Sequence, residues 1–131
     1  MHFYSWIAVG VGATAGAWLR WHFGIWLNAL FPWFPLGTLA SNLIAAFLVG
    51  VSVEFFAHYV WASPELRLLV ITGFLGGLST FSTFSAELVA LLHARDYAWA
   101  AVHTSLHLFG SILLTGAGIV AVKGLIGADA P

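Results

Sequence analysis

The sequence predicts an all-α integral membrane fold: four closely spaced transmembrane helices per chain, the third of them broken at mid-membrane. Three observations carry that prediction. Of the 131 residues, 61% are hydrophobic and only 7% charged, and the mean hydropathy is +0.97, whereas an ordinary soluble domain has about 25% charged residues. A spanning helix needs about 20 mostly apolar residues, so four spans with short turns fill residues 1–131 as a single domain and leave no room for a catalytic one. The third observation is punctuation, because proline, glycine and polar residues cluster between the apolar runs and, once, inside one of them.

The same composition excludes several functions. With no cysteine there is no disulfide framework and no thiolate chemistry. A net charge of -1 speaks against nucleic acid as a partner, because such binders concentrate Lys and Arg on one face. The segment from Met1 to Trp6 lacks the basic n-region of a secretory signal, and the apolar stretch behind it is too long for an h-region, so it reads as a retained first helix. An enzyme is not expected.

Helix one is expected from Tyr4 to Leu30, with Trp6 near one interface and Trp21 and Trp26 toward the other, as aromatic anchors are placed. Pro32 and Pro35 mark the following turn. Helix two runs from Leu36 to Trp61 and stops before Ala62-Ser63-Pro64. Helix three starts after Pro64, covers residues 66–93, and is followed by the short turn Ala94-Arg95-Asp96. Helix four spans Tyr97 to Ile126, with a small polar tail behind it.

Four spans return both termini to one side. That side carries Arg67 and Lys123, while Arg95 and the deeper Arg20 mark the other. Orientation follows an excess of Lys and Arg on the cytoplasmic side, and two against two leaves it undecided. The balance fits a protein that inserts both ways and pairs as an antiparallel dimer; it equally fits one orientation set by other features.

Helix one contains Gly12-Ala13-Thr14-Ala15-Gly16, a small-xxx-small pattern that lets helix backbones approach in lipid and speaks of packing alone. Helix three says more. Gly73, Gly76 and Gly77 fall within five residues, and Ser79, Thr80, Ser82, Thr83 and Ser85 follow. That composition predicts an interruption at mid-membrane, which survives only where protein buries it or a polar site uses it. Freed carbonyls there can coordinate a hard cation, and freed N–H groups can face an anion. Phe81 and Phe84 share one helical face, as do Ser82 and Ser85. The positive edges of two rings can hold a small anion weakly. Lipid or core contact is the ordinary role of two phenylalanines, but a lipid-facing surface has no use for five hydroxyls.

Helix four places His103, His107, Ser111 and Thr115 every four residues, a polar ridge along one face. Such a ridge suits a pathway for a desolvated solute or, more plainly, interhelical hydrogen bonding. The spacing of His103 and His107 would also serve a transition metal, but no carboxylate or third histidine is expected at a matching depth. In helix two, Thr38 and Asn42 are four apart, and the Asn42 amide must face the bundle interior or a wet cavity. Glu54 and Glu87 are expected near aqueous vestibules, so the deepest positions hold amide, hydroxyl and ring edges and favour a small anion. Arg20, the deep cation, is assigned to anchoring against carbonyls or a carboxylate.

Three stretches together, Gly12 to Trp21, Pro35 to Leu43 and Gly73 to Glu87, resemble the bacterial Fluc (CrcB) fluoride channels, and the match runs through all four helices in order. The resemblance implies an antiparallel, dual-topology homodimer with two pores in the bacterial inner membrane, exporting cytoplasmic fluoride passively. It implies that Asn42, Phe81 and Phe84 line the fluoride path, with Ser82, Thr83, Ser111 and Thr115 as a polar track. Arg20, Glu87 and His107 complete the candidates as vestibule residues. It also implies a structural sodium ion at the dimer interface, held by backbone carbonyls of Gly76 and Ser79. The competing reading is a small proton-coupled multidrug-type exporter, which depends on a glutamate in the first helix that is absent here. A non-transporting packing subunit is a third reading, and it would need neither the polar ridge nor the interruption.

Overall fold

The computed structural model describes residues 2–128 and is all helical. The elements are α1 (His2–Asn28), α2 (Leu36–His58), α3 (Pro64–Arg67), a π-helical segment (Leu68–Leu75), α4 (Gly76–Leu78), α5 (Phe81–His93) and α6 (Tyr97–Ala128). From α3 to α5 they follow one another along one column, so the described residues make four helical columns. Three of these, Leu36–His58, Pro64–His93 and Tyr97–Gly127, are long and apolar enough to cross a membrane. The remaining one, α1, has 27 residues, but Arg20, His22 and four tryptophans dilute its apolar character. The polar tail expected after helix four lies, at residues 129–131, outside the described residues.

The ends of the elements follow from local chemistry. Helix α2 stops at His58, short of the Trp61 expected, and the Ser63 hydroxyl then accepts the Leu66 N–H while Pro64 occupies the first helical turn of α3. At the tight turn after α5, Arg95 takes φ 58°, and Asp96 Oδ1 accepts from Trp99 N at 3.4 Å to open α6.

The chain leaves helical geometry at Ser79 and Thr80, with ψ of 155° and 115°, rather than at the glycines the sequence pointed to. The reason is that the glycines have another use. A β-carbon on Gly12 or Gly16 of α1 would overlap the carbonyl oxygens of Leu69 and Phe74, and one on Gly77 would overlap that of Ala13. Small residues on both sides thus bring α1 and the π-helical segment with α4 into backbone contact. A similar seam joins α2 to α6, where a β-carbon on Gly50 would overlap the Thr115 carbonyl and one on Gly118 that of Phe47. Between the seams lies a small core of Ala45, Leu75 and Leu78, packed by Leu19, Phe23 and Val49 among others.

Candidate functional site

The site starts from the two extended residues between α4 and α5. In an unbroken helix the Thr80 N–H would point to the carbonyl four residues back, that of Gly76. Instead it donates to Asn42 Oδ1 at 2.7 Å, and Asn42 Nδ2 donates to the Thr80 carbonyl at 3.1 Å. One amide on α2 therefore satisfies both backbone groups of a residue outside the helix, as buried polar backbone requires. The Gly77 carbonyl, whose helical donor would be Phe81, accepts Arg20 Nε at 3.1 Å. Arg20 thus anchors against a carbonyl, as expected. Thr80 also caps α5, its hydroxyl accepting from Thr83 N at 3.1 Å.

With Asn42 fixed in this way, its remaining N–H donates to His107 Nδ1 at 3.1 Å. Asn42 and His107 border an open groove of about 520 Å³ shared by α2, the start of α5, and α6. Phe81 and Phe84 line it with ring centroids 5.6 Å apart, together with Ser79, Ser111 and Thr115. Phe81 is 80% exposed on the isolated chain. Thr115 donates to the Ala46 carbonyl at 3.0 Å, so its hydroxyl hydrogen is turned to α2.

A second cavity, of about 560 Å³, lies between α1, α2 and α5, and Arg20, Asn28, Thr38, Thr83 and Glu87 line it. Thr80 borders both spaces. The structure therefore divides the candidates. Asn42, Phe81, Phe84, His107, Ser111 and Thr115 share the groove, while Arg20, Thr83 and Glu87 share the second cavity. Ser82 borders neither and is exposed, its hydroxyl 3.2 Å from that of Thr80. Gly76 and Ser79 are exposed as well.

One expectation is overturned. No carboxylate was expected near His103 and His107, yet Glu87 Oε1 accepts from Thr38 Oγ1 at 2.5 Å and Oε2 accepts from His103 Nε2 at 3.2 Å. Ligand atoms of Glu87, His103 and His107 all lie within 4.8 Å of one another. Glu87 lies six residues before the end of α5 at His93 and His103 six residues after the start of α6 at Tyr97, so the short turn between the helices sets both at one depth, about 9 Å along each. The ridge on α6 is likewise turned inward, with His103 0% and His107 7% exposed. The Phe84 ring lies 5.1 Å and 4.7 Å from the two imidazoles.

Sequence reasoning missed Thr80, which was grouped with the other hydroxyls. Its signal was available: a threonine three residues before Thr83, at the start of a renewed apolar helix, fits an N-cap.

Helices of spanning length, with an open and mainly apolar groove that an amide, an imidazole and hydroxyls border, define a multi-pass membrane protein with a candidate small-solute site. Its membership is specific: the sequence pattern of the CrcB-like protein family, Camphor Resistance (CrcB), matches residues 7–119, and the chain belongs to that family. It is 60% identical over 113 residues, covering 86% of this chain and 90% of the relative, to a protein of Cupriavidus taiwanensis named fluoride-specific ion channel FluC. A Nitrosospira multiformis protein of the same name is 55% identical over 125 residues, 95% of this chain and 98% of that one. One from Pseudomonas putida is 53% identical over 115 residues, 88% and 91% of the two chains.

Proposed function

We propose that this chain is a fluoride channel, passing cytoplasmic fluoride passively out across the bacterial inner membrane. The observation that carries the reading is the Asn42 amide, held at both ends by Thr80 and placed beside Phe81 and Phe84 in an open groove. The Asn42 N–H given to His107 is the one an anion can take over, and with hydroxyls and positive ring edges it binds an anion without a full charge; conduction requires binding weak enough to release. The relatives at 53–60% identity carry the name of fluoride-specific channels, which supplies the ion's identity.

In this reading α1 is the fourth crossing, and the Pro64–His93 column is broken at mid-membrane at Ser79-Thr80. The backbone contact of α1 with the π-helical segment favours the crossing, because it sets α1 alongside an apolar span. The working unit is an antiparallel, dual-topology homodimer. A groove open on one chain, with Phe81 80% exposed, is covered by a second copy, and the balanced flanking charges permit that copy to be inverted. Ser111 and Thr115 continue the groove as a polar track, and Arg20, Thr83 and Glu87 face its vestibule.

The carbonyls of Gly76 and Ser79 suit a structural sodium ion at the dimer interface. Two facts favour this: neither residue is fully buried in the single chain, and the Thr80 N–H that would occupy the Gly76 carbonyl is drawn to Asn42. A sodium ion there would neutralise helix-end carbonyls that have lost their donors.

The test is fluoride efflux from proteoliposomes under a potassium-set voltage. Flux is expected without a proton gradient and is expected to fall by at least about tenfold in Phe81→Ile, which corresponds to about 1.4 kcal/mol in barrier. Proton-coupled efflux of an organic cation would establish an exporter instead. Replacing sodium by a large organic cation throughout purification is expected to abolish flux; full activity would remove the Gly76 and Ser79 assignment.

A further inference from the structure

The Glu87, His103 and His107 cluster exceeds what an anion path needs. His103 and His107 are more than nine-tenths buried, and His107 keeps its ring Nε2 buried without a hydrogen-bond partner. Buried polar atoms are rarely left this way without a ligand or functional use. Three ligand atoms no more than 4.8 Å apart lie within about 2.8 Å of a common centre, so a contraction of well under 1 Å reaches the metal–ligand distances of zinc, about 2.0–2.2 Å. The contact of His103 Nε2 with Glu87 Oε2, 3.2 Å, is already close to the ligand–ligand separation of a tetrahedral site.

We infer that Glu87, His103 and His107 form a binding site for a first-row divalent transition ion such as zinc, and that filling it inhibits passage through the groove. Two imidazoles and one carboxylate select this class over calcium or magnesium, which take oxygen ligands. They leave one coordination position open. The carboxylate and the ring faces are supported: Thr38 holds the other carboxylate oxygen, and Phe84 packs on both rings. Access runs through either space, because Glu87 borders the second cavity and His107 the groove.

The link to the groove runs through the His107 ring. Asn42 Nδ2 donates to Nδ1, so Nδ1 is the acceptor and Nε2 carries the hydrogen of the neutral ring. A metal on Nδ1 displaces the Asn42 amide directly. A metal on Nε2 moves the ring hydrogen to Nδ1, where it opposes the same amide. Either mode breaks the Asn42–His107 contact beside Phe84. The inhibitory half rests on the fluoride-channel reading; the binding half does not.

The experiment separates the two. Equilibrium dialysis of the purified full chain in detergent against zinc is expected to give one high-affinity ion per chain. His107→Gln and Glu87→Gln are expected to lower that affinity by at least about 10- to 100-fold, the range typical of disturbing a metal site. Replacing the fully buried His103 risks unfolding the chain, so cobalt added to the unaltered protein gives the independent readout: a four-coordinate visible spectrum that zinc abolishes. Zinc binding equal in the unaltered protein and in folded Glu87→Gln and His107→Gln, or the absence of that cobalt spectrum, overturns the site. In proteoliposomes zinc is expected to suppress fluoride flux in the unaltered protein, and a chelator is expected to restore it. Stoichiometric, His107-dependent binding with unchanged flux would overturn the inhibition and leave the metal site standing.

Discussion

The seam between α1 and the third column and the groove between α2, α5 and α6 are built on opposite rules. In the seam, Gly12, Gly16 and Gly77 hold backbones so close that no side chain fits between them. In the groove, Phe81 is 80% exposed and the polar contacts run through a few side chains. In lipid there is little hydrophobic gain between helices, so packing at such seams must supply rigidity. The groove can then keep open space and weakly held groups. Tight packing and open polar space are thereby placed in different residues.

Substitutions can break this division. The largest effect on stability is expected for Gly16→Val, whose β-carbon meets the Phe74 carbonyl and the Leu78 amide. Because the obstacle is backbone, the cost is expected at or above the upper end of about 1–3 kcal/mol for overpacking, read as loss of monodisperse protein in size-exclusion chromatography. Asn42→Ala comes next. It leaves the Thr80 N–H and carbonyl without their partner, at about 1–3 kcal/mol per buried group, measured by thermal unfolding in detergent. Asn42→Asp keeps the acceptor for Thr80 N and loses both donors, so it is expected to recover part of the stability and none of the flux. Thr80→Ala removes the α5 cap for about 1 kcal/mol. The smallest stability change is expected for Phe81→Ile, at about 1 kcal/mol or less because its ring borders open groove rather than packed core, although flux falls. A Phe81 variant that unfolded like Gly16→Val would merge the two regions into one.

Much of the fold was legible because proline and the polar clusters punctuate the apolar runs; the turn after Asn28 and the start at Pro64 are written in residue type. The seam glycines were also visible as a small-residue pattern on α1. What the pattern left open was which of two glycine-bearing features did which task. Gly73 and Gly77 serve close approach, and the departure from helical geometry falls on Ser79 and Thr80, where Asn42 meets the backbone. The Thr80 cap marks the renewed helix locally, but no local rule reveals its clasp to α2, since that partner lies 38 residues away. The pairing of Glu87 with His103 was hidden similarly. Depth counted along one helix says nothing of how α5 and α6 are rotated toward each other.

The double hydrogen bond between Asn42 and Thr80 has a mechanical consequence. Two helical rods meet at the extended pair Ser79-Thr80, and an unclasped Thr80 there would ordinarily behave as a pivot. Clasped on both its N–H and its C=O, the residue can swivel only by surrendering two bonds together, roughly 1 kcal/mol apiece. The rods on either side are in effect riveted to α2, so any opening or shutting of a passage beside them falls to mobile side-chain tips, with the frame standing still.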